Sequence, residues 1–236
     1  MRKEFKVPSR RQPIFRVVGW FFGLFYKAKV EILTDNLPQK AIVLANHSAK
    51  AGPMALELSY PHFNVKWGAH EMLGNYKSRY NYLRNVLYIQ KLKKGKLVST
   101  VKAAFEAIFS IWLYRGMKFI PTYSDARFRH SIRCSMDVLE SGASVMIFPE
   151  DSTDGYFDEL TSAFPGFVML WQHYFRKTGE DLPVIPVYYH KRSRKIVVGK
   201  PQSVKSLFDS GLNRDEIAEH FKDEINFLFR EHFKNK

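Results

Sequence analysis

The chain has 236 residues, of which 45% are hydrophobic and 15% aromatic, enough for one large domain with a buried core and too apolar for a disordered chain. Lys and Arg number 37 against 23 acids, a net charge of +14. Such an excess calls for an anionic partner without choosing among nucleic acid, lipid headgroups and phosphorylated ligands. A single cysteine, Cys134, excludes an internal disulfide and fits a reducing compartment.

Residues 1–13 are basic and proline-punctuated, the pattern of a loosely held arm. Residues 14–26 carry Trp20, Phe21, Phe22 and Phe25 but fall short of the roughly 20 apolar residues that span a bilayer. Arg16 also spoils the segment as a signal peptide. It reads either as a core helix or as a helix in the membrane interface, its aromatics inserted and Lys27 and Lys29 on headgroups. Residues 29–33 and 41–45 read as strands joined by the turn-rich 34–38. The second strand stops at Asn46-His47, and a helix is expected from about Gly52-Pro53. The rim where a strand hands over to a helix is where α/β sheets place their chemistry, and an imidazole there titrates near neutral pH. Taken alone, Asn46 and His47 read first as residues that hydrogen-bond a turn, since most loop histidines are not catalytic; later segments reverse that preference.

Residues 65–69 read as a core strand and 70–118 as mainly helical. Within the latter, the basic cluster 91–96 reads as a solvated turn, and the apolar 98–114 as a core helix or a second membrane-facing one. A strand over 118–121, a helix over 124–141 stopped by Gly142, and a buried strand over 144–148 follow. That last strand opens directly into Pro149-Glu150-Asp151-Ser152-Thr153. A helix over 166–177, strands over 182–189 and 195–199 joined by the basic turn 191–195, and a polar helix over 214–234 complete the chain. Strands alternating with helices, without repeat or linker, predict a single α/β domain over 36–236, with a mostly parallel central sheet flanked by helices. Residues 1–35 would form the arm and the membrane-associated helix.

Four segments, in order, resemble the motifs of the glycerolipid acyltransferase family, the group of the 1-acylglycerol-3-phosphate acyltransferases. They are Asn46-His47, Gly116-Met117-Lys118-Phe119-Ile120, Phe148-Pro149-Glu150-Asp151-Ser152 and Val184-Ile185-Pro186-Val187, spanning about residues 40–200. The resemblance implies that His47 is a general base, taking the proton of an acceptor hydroxyl as its oxygen attacks an acyl thioester. It implies acyl-CoA or acyl carrier protein as co-substrate, a lysophospholipid acceptor, no metal or other cofactor, and the cytoplasmic face of an anionic membrane. Asn46, Phe148, Pro149, Glu150 and Ser152 would line the acceptor site. Three departures stand out. Gly52 occupies the place of an aspartate that orients the histidine, Thr122 (or Tyr123) that of an arginine for the acceptor phosphate, and Asp151 that of a glycine. Asp151 is therefore expected to supply the orienting carboxylate, with Arg127 or Arg129 near Thr122 replacing the arginine.

Losing an orienting carboxylate costs a hydrolase triad about four orders of magnitude. A catalytically degenerate, lipid-binding relative is thus the alternative to an active enzyme. The bland reading of Glu150 is a carboxylate at a helix N-terminus, and that of Asp151 a cap. A nucleic-acid-binding protein is disfavoured because the basic residues are dispersed and no binding module is present. No glycine-rich phosphate loop or G-x-S-x-G elbow occurs, and the other histidines lack metal-ligand spacing.

Overall fold

The run Ile42-Val43-Leu44-Ala45 is buried on both faces, as its unbroken apolar character requires of a central parallel strand. In a computed structural model, which describes residues 5–8 and 13–234, this strand is β2 of one seven-stranded sheet. The other strands are β1 (Lys29–Ile32), β3 (Asn64–Ala69), β4 (Ile120–Thr122), β5 (Ser144–Ile147), β6 (Val184–His190) and β7 (Lys195–Val198). Their order is β1-β7-β6-β2-β5-β3-β4. All neighbours run parallel except β6 and β7, which form an antiparallel hairpin through the basic turn. The expected mostly parallel α/β architecture is the one observed.

Helices α5 (Phe128–Glu140), α6 (Gly166–Thr178) and α8 (Arg214–Phe229) cover one face of the sheet, burying Ile132, Leu139, Phe167, Leu170, Phe221 and Ile225 against Val145 and Val184. On the other face, α2 (Ala51–Ser59) buries Ala55 and Leu56 over β2, β6 and β7. A third cluster lies in the long excursion between β3 and β4. There α3 (Tyr76–Asn81), a π-type helical segment (Tyr82–Lys91) and α4 (Lys96–Met117) pack Leu83, Leu87, Ala103 and Ala107 against Phe119. Helix α1 (Pro13–Tyr26) lies beside α2 and α4.

Several boundaries differ from the sequence reading, each for a local reason. The first two strands are not partners: β1 pairs with β7, while β2 lies between β5 and β6. Because β1 ends before residue 36 yet belongs to the sheet, the α/β domain already includes residues 29–32. Lys118 closes α4 at φ +48°, so β4 begins only at Ile120. Asp125 forms a turn that accepts the N–H groups of Arg127 and Phe128, delaying α5 to Phe128. A short helix, α7 (Val204–Asp209), was not anticipated, although its N-cap Ser203 accepts the Ser206 N–H as that residue type predicts. The arm expected over 1–13 lies largely outside the described residues; within it, Phe5 and Val7 pack against the core.

The outer faces of α1 and α4 are apolar and exposed: Val17, Trp20, Phe21, Leu24 and Phe25 on the first, and Val101, Phe105, Ile108, Phe109 and Trp112 among others on the second. Helix α4, with 22 residues, is long and apolar enough to cross a membrane by length and composition.

Candidate active site

Strand register builds the site. Leu44 of β2 lies opposite Ile147 of β5, so the residues three further on, His47 and Glu150, leave the sheet side by side. The His47 backbone N–H donates to Glu150 Oε2 at 3.0 Å. Glu150 is 8% exposed, and burial raises its carboxyl above the ordinary value against the opposing pull of that N–H and of Lys91. The bond fixes the loop after β2 to the loop after β5 at the carboxyl ends of the central strands, where open α/β sheets bind their ligands.

The His47 ring lies between two aromatic side chains. Tyr156 stacks on it at 5.1 Å between centroids, and Phe148 approaches at 4.9 Å. Its Nδ1 is buried and has no hydrogen-bond partner among the described residues. Desolvation, reinforced by the nearby Lys91 ammonium, lowers the imidazole from 6.5 to about 4. His47 is therefore a neutral imidazole at physiological pH.

Gly52 explains why no aspartate stands there. A Cβ at this position would lie 2.1 Å from the His47 carbonyl oxygen and 2.8 Å from its carbonyl carbon. The loop reaches this closeness through Ser48 and Ala49, both at left-handed φ (45° and 52°). The motif position is thus a backbone contact in which only glycine fits.

The expected replacements do not meet at His47. The Asp151 carboxylate accepts the Thr153 N–H at 3.0 Å, and the Thr153 hydroxyl first and this N–H second hold its carboxyl below the usual range; it caps that turn and makes no hydrogen bond to the imidazole. This corrects its assignment as the orienting group. Arg127 is exposed and forked onto Asp125, with Nη2 2.7 Å from Oδ2. Thr122 Oγ1 donates to the Gly68 carbonyl at 2.9 Å. Neither side chain lines the cavity that opens beside His47. Asn46 is buried with both ends of its amide engaged: Nδ2 donates to Tyr189 O, and Oδ1 accepts Tyr189 N–H. It latches β2 to β6 instead of facing a substrate. Pro149 accepts the Phe164 N–H, and the buried Ser152 accepts a hydrogen bond from Lys91 Nζ at 2.7 Å.

Sequence reasoning missed Tyr156 and Lys91. The Tyr156 ring lies on a loop with no motif of its own. Lys91 was read as part of a solvated turn, although its place four residues after the buried Leu87 and eight after the buried Leu83 was a signal that it shares their inward face.

Beside His47 opens a cavity of about 530 Å³, within the usual size of small-molecule sites. Its lining is mostly apolar and comes from α1 (Phe22, Tyr26), α2 (Pro53, Met54), α4 (Phe109, Trp112, Leu113), Leu83, Leu87, Phe148 and Tyr156. Two polar clusters interrupt it. Lys66 pairs with Glu57 at 2.6 Å, and Lys50 is held by Glu106 and the Tyr88 hydroxyl. Among the described residues, no group of His, Cys, Asp or Glu is placed to hold a metal ion.

No family model and no curated protein matches the sequence. Among solved structures, the chain is similar to the 1-acyl-sn-glycerophosphate (LPA) acyltransferase PlsC from Thermotoga maritima. The TM-score is 0.55 at 14% identity, covering 94% of this chain and 80% of that one. At that identity the likeness is one of fold: this chain has the α/β architecture of the PlsC acyltransferase.

Proposed function

We propose that the protein is a membrane-surface acyltransferase that moves an acyl group from a thioester onto a hydroxyl of a lysophospholipid or related glycerolipid. The observation that carries this reading is a half-buried, neutral imidazole set in the wall of a largely apolar cavity, at the end of the central strand of a PlsC-like fold. The cavity walls are apolar enough to solvate an acyl chain, each buried CH₂ contributing about 0.8 kcal/mol. At its mouth the acceptor oxygen attacks the thioester carbonyl carbon while His47 takes the hydroxyl proton. The tetrahedral intermediate then expels the thiolate, which recovers that proton from the imidazolium. The co-substrate is acyl-CoA or acyl carrier protein, and the chemistry calls for no metal.

A second reading, lipid binding without turnover, is favoured by the absence of a carboxylate hydrogen-bonded to the His47 ring among the described residues and by its weak basicity. Thiol release from acyl-CoA and from acyl carrier protein thioesters, measured with a panel of lysophospholipids, separates the two. Acceptor-dependent release is the expected result. Silence with every donor and acceptor, alongside retained lipid binding, would establish the second reading.

The exposed apolar faces of α1 and α4 border the cavity, and the net charge of +14 favours an anionic surface. Replacing the exposed Phe105 and Trp112 together by serine is expected to weaken retention on anionic vesicles by tenfold or more, since each ring buries apolar area on insertion worth about 1.5–3 kcal/mol. The melting temperature should hold within about 2 °C, because neither ring is in the core. Co-sedimentation with vesicles measures this, and unchanged retention would remove these helices from the membrane contact.

A further inference from the structure

An acceptor with an anionic headgroup needs a cation near His47, and neither Thr122 nor Arg127 provides one. Three lysines stand around the site. Lys50 is occupied by Glu106 and by Tyr88 OH at 2.7 Å, and Lys66 by Glu57 at 2.6 Å and Asn64 Oδ1 at 2.8 Å. Lys91 is different. Its hydrogen bond runs to a neutral hydroxyl, Ser152 Oγ, at 2.7 Å. The ammonium stands 5.7 Å over the ring of Tyr156, the same ring that stacks on His47. Glu150 and Asp151 act on it through space, and neither is hydrogen-bonded to it. An ammonium has three donors, so Lys91 keeps donors for a ligand, and the residue is partly exposed.

The position is also built. Lys91 ends the π-type segment anchored by the buried Leu83 and Leu87. Gly155, at φ +128°, brings the loop after β5 against it: a Cβ there would come within 3.3 Å of the Lys91 carbonyl oxygen. The segment that carries the lysine lies outside the four motif stretches, in the excursion between β3 and β4.

We propose that Lys91, with the Ser152 hydroxyl beside it, binds the phosphate of a lysophospholipid acceptor and so places the neighbouring free hydroxyl at His47. This rests on the acyl-transfer reading. The phosphate is either a monoester, as in lysophosphatidate, or a diester, as in lysophosphatidylglycerol, and ammonium recognition is common to both.

The test uses the full chain in mixed micelles with acyl-CoA and three acceptors: lysophosphatidate, lysophosphatidylglycerol and the phosphate-free monoacylglycerol. In Lys91→Ala and in Lys91→Met, which keeps the apolar stem, KM for at least one phosphate-bearing acceptor should rise about 10- to 100-fold, the worth of one charge-assisted hydrogen bond. Which of the two acceptors responds identifies monoester or diester. The loss in kcat/KM should be at least about tenfold larger for that acceptor than for monoacylglycerol, and Lys91→Arg should keep most of the affinity. Equal losses with all acceptors, or an unmoved KM with the phosphate-bearing ones, would overturn the assignment. If the wild type releases no thiol with any acceptor, the acyl-transfer reading fails by itself. Calorimetric binding of lysophosphatidate and lysophosphatidylglycerol then decides for Lys91: weakening by 10- to 100-fold in Lys91→Ala supports the phosphate site, and unchanged affinity overturns it.

Discussion

Replacing His47 by alanine is expected to reduce acceptor-dependent thiol release by about 10²- to 10⁴-fold, the contribution of a positioned general base. The same residue should govern the acid limb of the pH–rate profile. Burial first, and the Lys91 charge second, lower the imidazole to about 4, so activity should stay level from neutral pH down to about 5 and fall as the ring protonates near 4. A limb between 6 and 7 would mean that the base is a solvated histidine and not this one. Stability carries the same signature. Above pH 6.5 the imidazole is neutral in both folded and unfolded chains and adds no pH dependence. Between 6.5 and about 4 the unfolded chain binds a proton that the folded one excludes, so stability falls as the pH is lowered. The loss reaches up to about 3 kcal/mol, reduced by the partial exposure of the ring. Denaturant titrations at pH 7 and pH 4.5 should therefore diverge less in His47→Ala than in the wild type.

Gly52→Asp, which puts the orienting carboxylate of the acyltransferase motif at this position, should fail to raise the rate and should destabilise the protein. The added Cβ would sit 2.1 Å from the His47 carbonyl oxygen, well inside contact distance, and that atom is backbone with nowhere to yield. Relief requires moving the 46–52 loop, which Ser48 and Ala49 already hold in left-handed conformations. The cost is expected at about 3 kcal/mol or more, a fall in melting temperature of roughly 6–12 °C for a chain of this size. Thermal unfolding and thiol release of the variant check both halves. A stable and faster Gly52→Asp would show that the loop has a second arrangement, in which residue 52 can face the imidazole.

These two substitutions separate what a motif names from what the backbone allows. Reading Asn46-His47 off the end of a buried strand was sound, because a strand hidden on both faces has an unbroken apolar sequence that few other elements share. Placing Glu150 beside His47 follows from two strands of equal character once they pair as neighbours, with Leu44 opposite Ile147 and each three residues before its site residue. Asp151 and Arg127 failed as replacements for a common reason: each satisfies itself locally, through Thr153 and Asp125, and a short local bond is formed without loop-closure cost.

By itself, the sequence determined the α/β class, the order of the main strands and helices, the single large domain and the place of His47 and Glu150 just after two core strands. Alternating apolar runs and helical spacing are local signals that survive without knowledge of partners. Only the tertiary structure decided that β1 joins β7, that the 70–117 excursion folds over the site, that Gly52 is closed by the His47 carbonyl, and that Tyr156 and Lys91 surround the imidazole. Each of these depends on contacts between segments far apart in the chain. Their energies come from register, desolvation and close packing, quantities that exist only once the segments meet.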